Sequence, residues 1–151
     1  MEIKIDELTD SRVICFLEEH IEDMKSVSPP ESKHALDIDA LREPEITFWT
    51  VWEFDELIGC GAIKELNKAH AELKSMRTIN SKRGSGVGSS LLQHIVSDAK
   101  RRGYERISLE TGSMQFFEPA RRLYSKFGFE FCDPFGDYKL DPNSVFMELY
   151  L

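Results

Sequence analysis

Residues 82–92 read KRGSGVGSSLL and join a strand-like stretch, 71–79, to a helix-like stretch, 87–102. The glycines of this loop are Gly84, Gly86 and Gly88. Glycine lets the backbone turn its N–H groups toward one point, with no Cβ in the way of a ligand. A helix N-terminus behind such a loop adds about half a positive charge. The stretch therefore predicts a strand, an anion-binding loop and a helix, in that order.

The ligand that suits this loop is a phosphate or a pyrophosphate, because both carry concentrated negative charge. Lys82 and Arg83 add full positive charges at its rim. The glycine spacing does not give GxGxxG, and no GK[ST] follows, so neither a Rossmann fingerprint nor a P-loop is indicated. The strand before the loop is also the third of an antiparallel run, which is wrong for a Rossmann unit.

That antiparallel run begins with two segments, 46–54 and 57–66, rich in β-branched and aromatic residues. Only Asp55 and Glu56 separate them, which predicts a hairpin. The other predicted elements are strands 2–8, 106–109, 129–132 and 145–151, helices from Thr9 or Asp10 to 27 and over 116–127, and a short, weak helix within 31–44. Together they predict an α/β (α+β) fold: a mixed, mostly antiparallel sheet of about six to seven strands with about four helices on its faces.

Composition restricts the class of protein. The 151 residues, 41% of them hydrophobic, fit a single domain over 1–151. There are 27 acidic and 19 basic residues, and the formal charge of −8 argues against nucleic acid as a partner. The sequence alone leaves the oligomeric state open, and a homodimer is the commonest assembly of soluble proteins.

The expected location is the cytoplasm, with no membrane partner. No apolar stretch approaches the roughly 20 residues of a membrane helix, and the start, MEIKIDELTD, lacks the basic and then apolar pattern of a signal peptide. The three cysteines are far apart, and the four histidines have no ligand spacing. We therefore expect neither a disulfide framework nor a metal site.

Two motifs together identify a family. The first is [QR]-x-x-G-x-[GA] at the start of a helix, matched by Arg83, Gly86 and Gly88. The second is A-x-x-L-Y-x-K-x-G-F, matched within PARRLYSKFGF, residues 119–129. With both motifs in order, and with this order of elements, the chain resembles the GNAT superfamily of N-acetyltransferases over nearly its whole length.

The resemblance implies acetyl-CoA as the cosubstrate. The backbone N–H groups expected at its pyrophosphate are those of Arg83, Gly84, Ser85, Gly86, Val87 and Gly88. The pantetheine arm is expected to pair, like an added strand, with Met76, Arg77 and Thr78. One departure concerns Phe117, because many family members have asparagine there as a contact to the CoA arm.

The resemblance also implies catalytic roles. Tyr124 is the candidate acid for the departing thiolate, although the residues alone favour a core aromatic. Glu72 is the candidate base for the amine, with Glu110 or a water chain as alternatives. A backbone N–H of Met76 or Arg77 is expected to meet the oxyanion. No nucleophile motif is present, so direct attack by the amine in a ternary complex is expected.

The acceptor is expected between segments 28–41 and 134–144. Their polar and aromatic members are His34, Asp37, Asp39, Asp137, Tyr138, Asp141 and Asn143. These residues suit a cation, a small-molecule or peptide amine, but they are also common in turns. Two alternatives remain at this stage: a non-catalytic acyl-CoA-binding regulatory module, and a phosphate-binding domain for another nucleotide.

Overall fold

The computed structural model describes residues 1–27 and 38–151. The strands are β1 (Glu2–Ile5), β2 (Ile46–Glu53), β3 (Glu56–Asn67), β4 (His70–Thr78), β5 (Arg106–Gly112), β6 (Glu130–Cys132) and β7 (Ser144–Tyr150). The helices are α1 (Ser11–Val27), α2 (Val87–Arg101) and α3 (Glu118–Lys126), with 3-10 turns at Ala40–Arg42, Asn80–Lys82 and Gln115–Phe117. One seven-stranded sheet has the order β1-β2-β3-β4-β5-β7-β6.

The helices begin where the local sequence supplies a start signal. Asp10 caps α1, because its Oδ1 accepts the backbone N–H of Arg12 at 2.8 Å. Gly86 precedes α2 in the left-handed conformation, and α3 carries a proline in its first turn. None of the helices described is long and apolar enough to cross a membrane.

Two apolar cores lie on opposite sides of the sheet. The larger packs α2 and α3 against it and includes Leu73, Leu91, Leu92, Ile107 and Leu109. The smaller packs α1 and includes Leu8, Phe16, Leu17, Phe48 and Trp52. Residues alternate between the faces of a strand, so Trp49 joins the larger core while Trp52 joins the smaller.

The feature that positions the site is the junction of β4 and β5, the parallel pair in an otherwise antiparallel sheet. Its register runs only from His70↔Arg106 to Leu73↔Leu109. Beyond these pairs β4 continues beside β3 and β5 continues beside β7. A gap therefore opens between β4 and β5 at the end that leads to the glycine loop.

The predicted fold class and the antiparallel middle of the sheet are confirmed, with a few corrections. Three α-helices lie within the described residues, against about four expected, and most of segment 31–44 lies outside those residues. The hairpin turn lies at Phe54 and Asp55, both at positive φ, one residue earlier than expected. Strand β5 extends to Gly112 because it pairs with β7 along its full length.

Candidate active site

The glycine loop has the backbone that the sequence predicts. Gly84 and Gly86 have φ of +80° and +90°, which side-chain-bearing residues rarely adopt, and open space surrounds both α-carbons. A Cβ at Gly88 would lie 3.2 Å from Leu123 Cδ2, so this glycine lets α2 approach α3 closely. Two glycines thus shape the loop, and the third brings the two signature segments together.

Most backbone N–H groups of this loop are available to a ligand. The first intrahelical bond runs from Ser90 N–H to the Gly86 carbonyl at 2.9 Å, and the N–H groups of Val87 and Gly88 precede it. The N–H of Ser85 is engaged differently, because it donates to the Lys82 carbonyl at 3.2 Å. The helix end therefore presents donors and a partial positive charge to an anion.

Arg83, the cation of the loop motif, lies against the 3-10 turn that precedes α3. Its guanidinium carbon is 5.9 Å from the ring centroid of Phe116, which is 45% exposed. The neighbouring Phe117 is buried, and a side chain at Gly112 would overlap its ring. Phe117, where the family resemblance leads us to expect asparagine, therefore has a packing role at the start of α3.

The end of β4 offers a free edge to the gap. Ser75, at φ +59°, interrupts the β3–β4 register between the pairs Ala62↔Lys74 and Cys60↔Arg77. Within the described part of the chain, no strand pairs with the β5-facing edge of β4 after Leu73. The backbone of Met76, Arg77 and Thr78 therefore borders the gap.

The side chain of Arg77 does not border the gap as its backbone does, but contacts α1. Its Nη1 donates to Asp23 Oδ2 at 2.7 Å, and its guanidinium lies 5.2 Å from the ring centroid of Phe16. Its Nη2 is 3.8 Å from Glu19 Oε2. All three partners lie on α1, so this arginine fastens α1 to β4 beside the gap.

Tyr124 reaches the gap from the other face. Its side chain is 6% exposed and its ring packs against Phe129, with 5.7 Å between centroids. Burial raises the pKa of Tyr124, and the negative charge of Glu110 raises it further. The phenol therefore stays protonated at neutral pH and lies close enough to Glu110 to sense its charge.

The surroundings of Glu110 raise the pKa of its carboxyl group into the neutral range. Glu110 follows the last β4–β5 pair, on the face of the sheet that α1 covers. Burial raises its pKa to about 7, the negative charges of Glu72 and Asp141 contribute to the rise, and Lys74 opposes it. A carboxyl group with this pKa can both accept and release a proton at neutral pH.

Glu72 lies on the same face but is held by neighbours. It is 5% exposed, and its Oε2 accepts the hydroxyl of Tyr138 at 2.6 Å. Lys74 Nζ is 3.6 Å from the same oxygen. The structure thus joins Glu72 to Tyr138, two residues that the sequence suggested separately.

A buried histidine–serine pair lies in the paired half of the junction, and sequence reasoning missed it. His70 Nε2 is 2.7 Å from Ser108 Oγ, and Arg106 Nη2 is 3.1 Å from His70 Nδ1. A guanidinium can only donate, so His70 Nδ1 accepts the hydrogen bond from Arg106. The proton of the ring is then on Nε2, which donates a hydrogen bond to Ser108 Oγ. The imidazole therefore cannot activate Ser108 as a nucleophile.

The loop between β6 and β7 covers the polar face of the junction. Phe135, Tyr138 and Phe146 form an aromatic cluster with centroid separations of 5.1 to 6.0 Å. Ser113 Oγ donates to the Pro142 carbonyl at 2.8 Å and ties the loop to the end of β5. The other expected acceptor segment reaches only Ile38 to Leu41 within the described residues, so His34 and Asp37 lie outside them.

Across residues 1–27 and 38–151, no group of three or more His, Cys, Asp or Glu side chains could hold a metal ion. The chemistry visible at the gap is that of a helix-end anion site, two carboxyl groups on one face of the sheet and a buried phenol.

Comparisons with known proteins identify the family. Residues 7–129 match the model of the acetyltransferase (GNAT) family. An uncharacterized N-acetyltransferase of Bacillus subtilis, YsnE, is 60% identical over 147 residues, which are 97% of each chain. Another of Escherichia coli, YedL, is 49% identical over 149 residues, 99% of this chain and 94% of that one. An IAA acetyltransferase of Azospirillum brasilense is 36% identical, covering 90% of this chain and 88% of that one.

Solved structures show the same fold. A protein from Klebsiella pneumoniae superposes with a TM-score of 0.81 at 26% identity, covering 99% of this chain and 97% of the other. An aminoglycoside 6'-N-acetyltransferase in complex with coenzyme A superposes with a TM-score of 0.72 at 16% identity, with coverage of 99% and 97%. The chain therefore belongs to the acetyltransferase (GNAT) family and is an acyl-CoA-dependent N-acyltransferase.

Proposed function

We propose that this GNAT protein transfers the acetyl group of acetyl-CoA to a primary amine of a small molecule or peptide, by direct attack in a ternary complex. The observation that carries the proposal is Glu110, a carboxyl group with a pKa of about 7 beside the gap between β4 and β5. The gap opens at the end of β4 that leads to the anion-binding loop, and Tyr124 lies close enough to Glu110 to sense its charge. A proton acceptor thus lies where the thioester of a bound cosubstrate is expected.

Acetyl-CoA is proposed to bind along the second half of β4. Its pyrophosphate takes N–H groups of the glycine loop, foremost those of Val87 and Gly88, which precede the first intrahelical bond, and its pantetheine amides pair with residues 76–78. The N–H of Ser85 is a weaker candidate because it already donates to Lys82. A structural neighbour, the aminoglycoside acetyltransferase, is known with coenzyme A bound, which supports the choice of cosubstrate.

Glu110 is the proposed base, in preference to Glu72. An amine with a pKa near 10 is only about one part in a thousand neutral at pH 7, so its proton must be accepted before attack. Glu72 is the poorer acceptor because its Oε2 already receives Tyr138 and lies close to Lys74. Glu110 holds no such partners among the described residues, and its pKa of about 7 lets it accept a proton near neutral pH.

Tyr124 is the proposed donor to the leaving sulfur. A thiol has a pKa of about 8.5, whereas burial raises the pKa of this phenol above its usual value of about 10. Complete proton transfer to the thiolate is therefore uphill. The hydroxyl instead stabilises the departing sulfur by a hydrogen bond, while an N–H of Met76 or Arg77 meets the oxyanion.

Release of CoA thiol from acetyl-CoA tests the proposal, with polyamines, amino acids, aminoglycosides and lysine peptides as acceptors. We expect release with at least one of these classes, and we expect it to depend on both Glu110 and Tyr124. Coenzyme A that binds to the protein without any release of thiol across the panel would contradict the proposal.

A further inference from the structure

Two carboxylates lie on the same face of the sheet near the opening of the gap, because of the β4–β5 register. Glu72 pairs with Ser108, and residues paired across two strands project from the same face of the sheet. Glu110 follows Ser108 by two positions, so it returns to that face. It also lies just past Leu109, the last residue of β5 that pairs with β4.

Glu72 is fixed in this position by contacts from two elements. The hydroxyl of Tyr138 donates to its Oε2 at 2.6 Å, and Lys74 Nζ is 3.6 Å from the same oxygen. The Tyr138 ring packs against Phe135 and Phe146, with centroids 5.1 and 5.6 Å away. A side chain that is 5% exposed and held in this way cannot turn its charge away from Glu110.

We propose that Glu72 is a positioning residue: held by Tyr138 and Lys74, its negative charge makes Glu110 the carboxylate that accepts the proton of the incoming amine. The inference rests on the proposed acetyl transfer. It changes the role of Glu72 from the base itself to the residue that adjusts the base.

The charges around Glu110 explain the effect. Burial is the largest cause of its raised pKa, Glu72 on β4 is the second, and Asp141 in the loop before β7 is the third. Lys74 on β4 acts in the opposite direction. Tyr124 faces Glu110 from α3 and remains a neutral phenol at the pH of interest. One fixed like charge beside a carboxyl group disfavours its ionised form, so Glu110 holds a proton more readily.

The proton balance of the reaction requires such a group. The ammonium gives one proton to Glu110, the neutral nitrogen attacks the carbonyl carbon, and the C–S bond breaks with its electron pair on sulfur. The nitrogen then loses a second proton as the amide forms. One of the two protons neutralises the thiolate, and the other leaves through Glu110 to solvent.

The test is a carbon-13 NMR titration of the side-chain carboxyl groups in the ligand-free protein, with the Glu110 signal identified by its loss in Glu110→Gln. In Glu72→Gln, which keeps an acceptor for Tyr138, we expect the Glu110 midpoint to fall by about one pH unit. The matched control is Glu65→Gln. Glu65 also accepts a tyrosine hydroxyl, that of Tyr104 at 2.7 Å, but it lies at the end of β3 that is distant from the gap.

A second variant works in the opposite direction. Lys74→Met removes the positive charge that opposes the rise in the pKa of Glu110, so the Glu110 midpoint should move to higher pH. This variant keeps the proposal testable if Glu72→Gln fails to fold. With an acceptor from the panel, the acid limb of kcat should follow the NMR midpoint in each variant.

An unchanged Glu110 midpoint in Glu72→Gln, or a shift equal to that in Glu65→Gln, would overturn the proposal. So would a Glu72→Gln protein that releases no thiol at any pH while its Glu110 midpoint stays that of the wild type, because Glu72 would then be the base. The titration needs no acceptor and no turnover, so its result is separate from the failure of the proposed acetyl transfer.

Discussion

The two faces of strands β4 and β5 differ sharply in what they contribute. Leu109, 1% exposed, points into the core beneath α2, whereas its neighbour Glu110 points to the face that α1 covers. The same alternation separates Leu73 from Glu72 on β4. The face that carries Leu73 and Leu109 excludes water and stabilises the fold. The face that carries Glu72 and Glu110 keeps carboxyl groups largely buried. The comparison teaches that neighbouring residues of one strand can serve stability and chemistry separately. Alternate side chains project from opposite faces of the sheet and therefore lie in different environments.

The strongest way to break this comparison is Glu110→Gln, which removes the proposed base and keeps the shape of the side chain. We expect kcat to fall by about 10²- to 10⁴-fold, the usual contribution of a general base. Stability should not fall, because the folded pKa of Glu110 is raised, and its ionised form therefore costs stability as the pH rises through about 7. Thiol release and thermal unfolding at pH 8 measure both quantities. A variant as active as the wild type would show that Glu110 is not the base.

The matched experiment on the other face is Leu109→Ala. Truncation of a fully buried leucine should lower the free energy of unfolding by about 2 to 5 kcal/mol, because it leaves a cavity in the larger core. Denaturant unfolding measures the loss. Turnover per folded molecule and its pH dependence should stay close to those of the wild type. If the pH dependence changes as well, the two faces are not independent.

Tyr124→Phe tests a residue that reaches the gap from the apolar side. The ring still packs against Phe129, so the fold should be kept. Loss of one hydrogen bond to a charged sulfur should lower kcat by about 10- to 100-fold. The KM for acetyl-CoA should change much less. Steady-state kinetics with saturating acceptor checks this, and an unchanged kcat would reduce Tyr124 to a core aromatic.

The smallest expected effect concerns the glycine loop, compared with the end of the helix that follows it. Gly86 and Gly103 have φ of +90° and +91°, and open space surrounds both. Alanine at either position should cost about 1 kcal/mol of stability through backbone strain. Only Gly86→Ala should also weaken coenzyme A, raising its Kd roughly tenfold. Calorimetry with coenzyme A measures this, and equal affinity in the two variants would argue against the loop as the pyrophosphate site.

The local parts of this structure were accessible from sequence because they depend on neighbours along the chain. Helix α2 and the loop before it follow from apolar periodicity and from glycines that need positive φ. The last residues of β5, Thr111 and Gly112, were missed because a glycine there favours a turn, and pairing with β7 makes them extended.

The charged part of the site was harder to predict because it depends on distant contacts. The Tyr138–Glu72 hydrogen bond joins residues 66 positions apart, and no sequence pattern signals it. Sequence reasoning named Glu72 and Glu110 as candidates for the base. Choosing between them needed burial and like charges in three dimensions, which determine the pKa of Glu110. The His70–Ser108 pair was likewise visible only through the register of two strands.

The most direct test of the account is the pH dependence of kcat for release of CoA thiol from acetyl-CoA, measured across the amine panel with wild type and Glu110→Gln. A base must be deprotonated to act, and burial raises the pKa of Glu110 to about 7. We therefore predict that wild-type kcat falls roughly tenfold per pH unit below about pH 7, and that the variant is slow and lacks this limb. No thiol release with any amine while coenzyme A still binds, or the same acid limb in both proteins, would contradict the account.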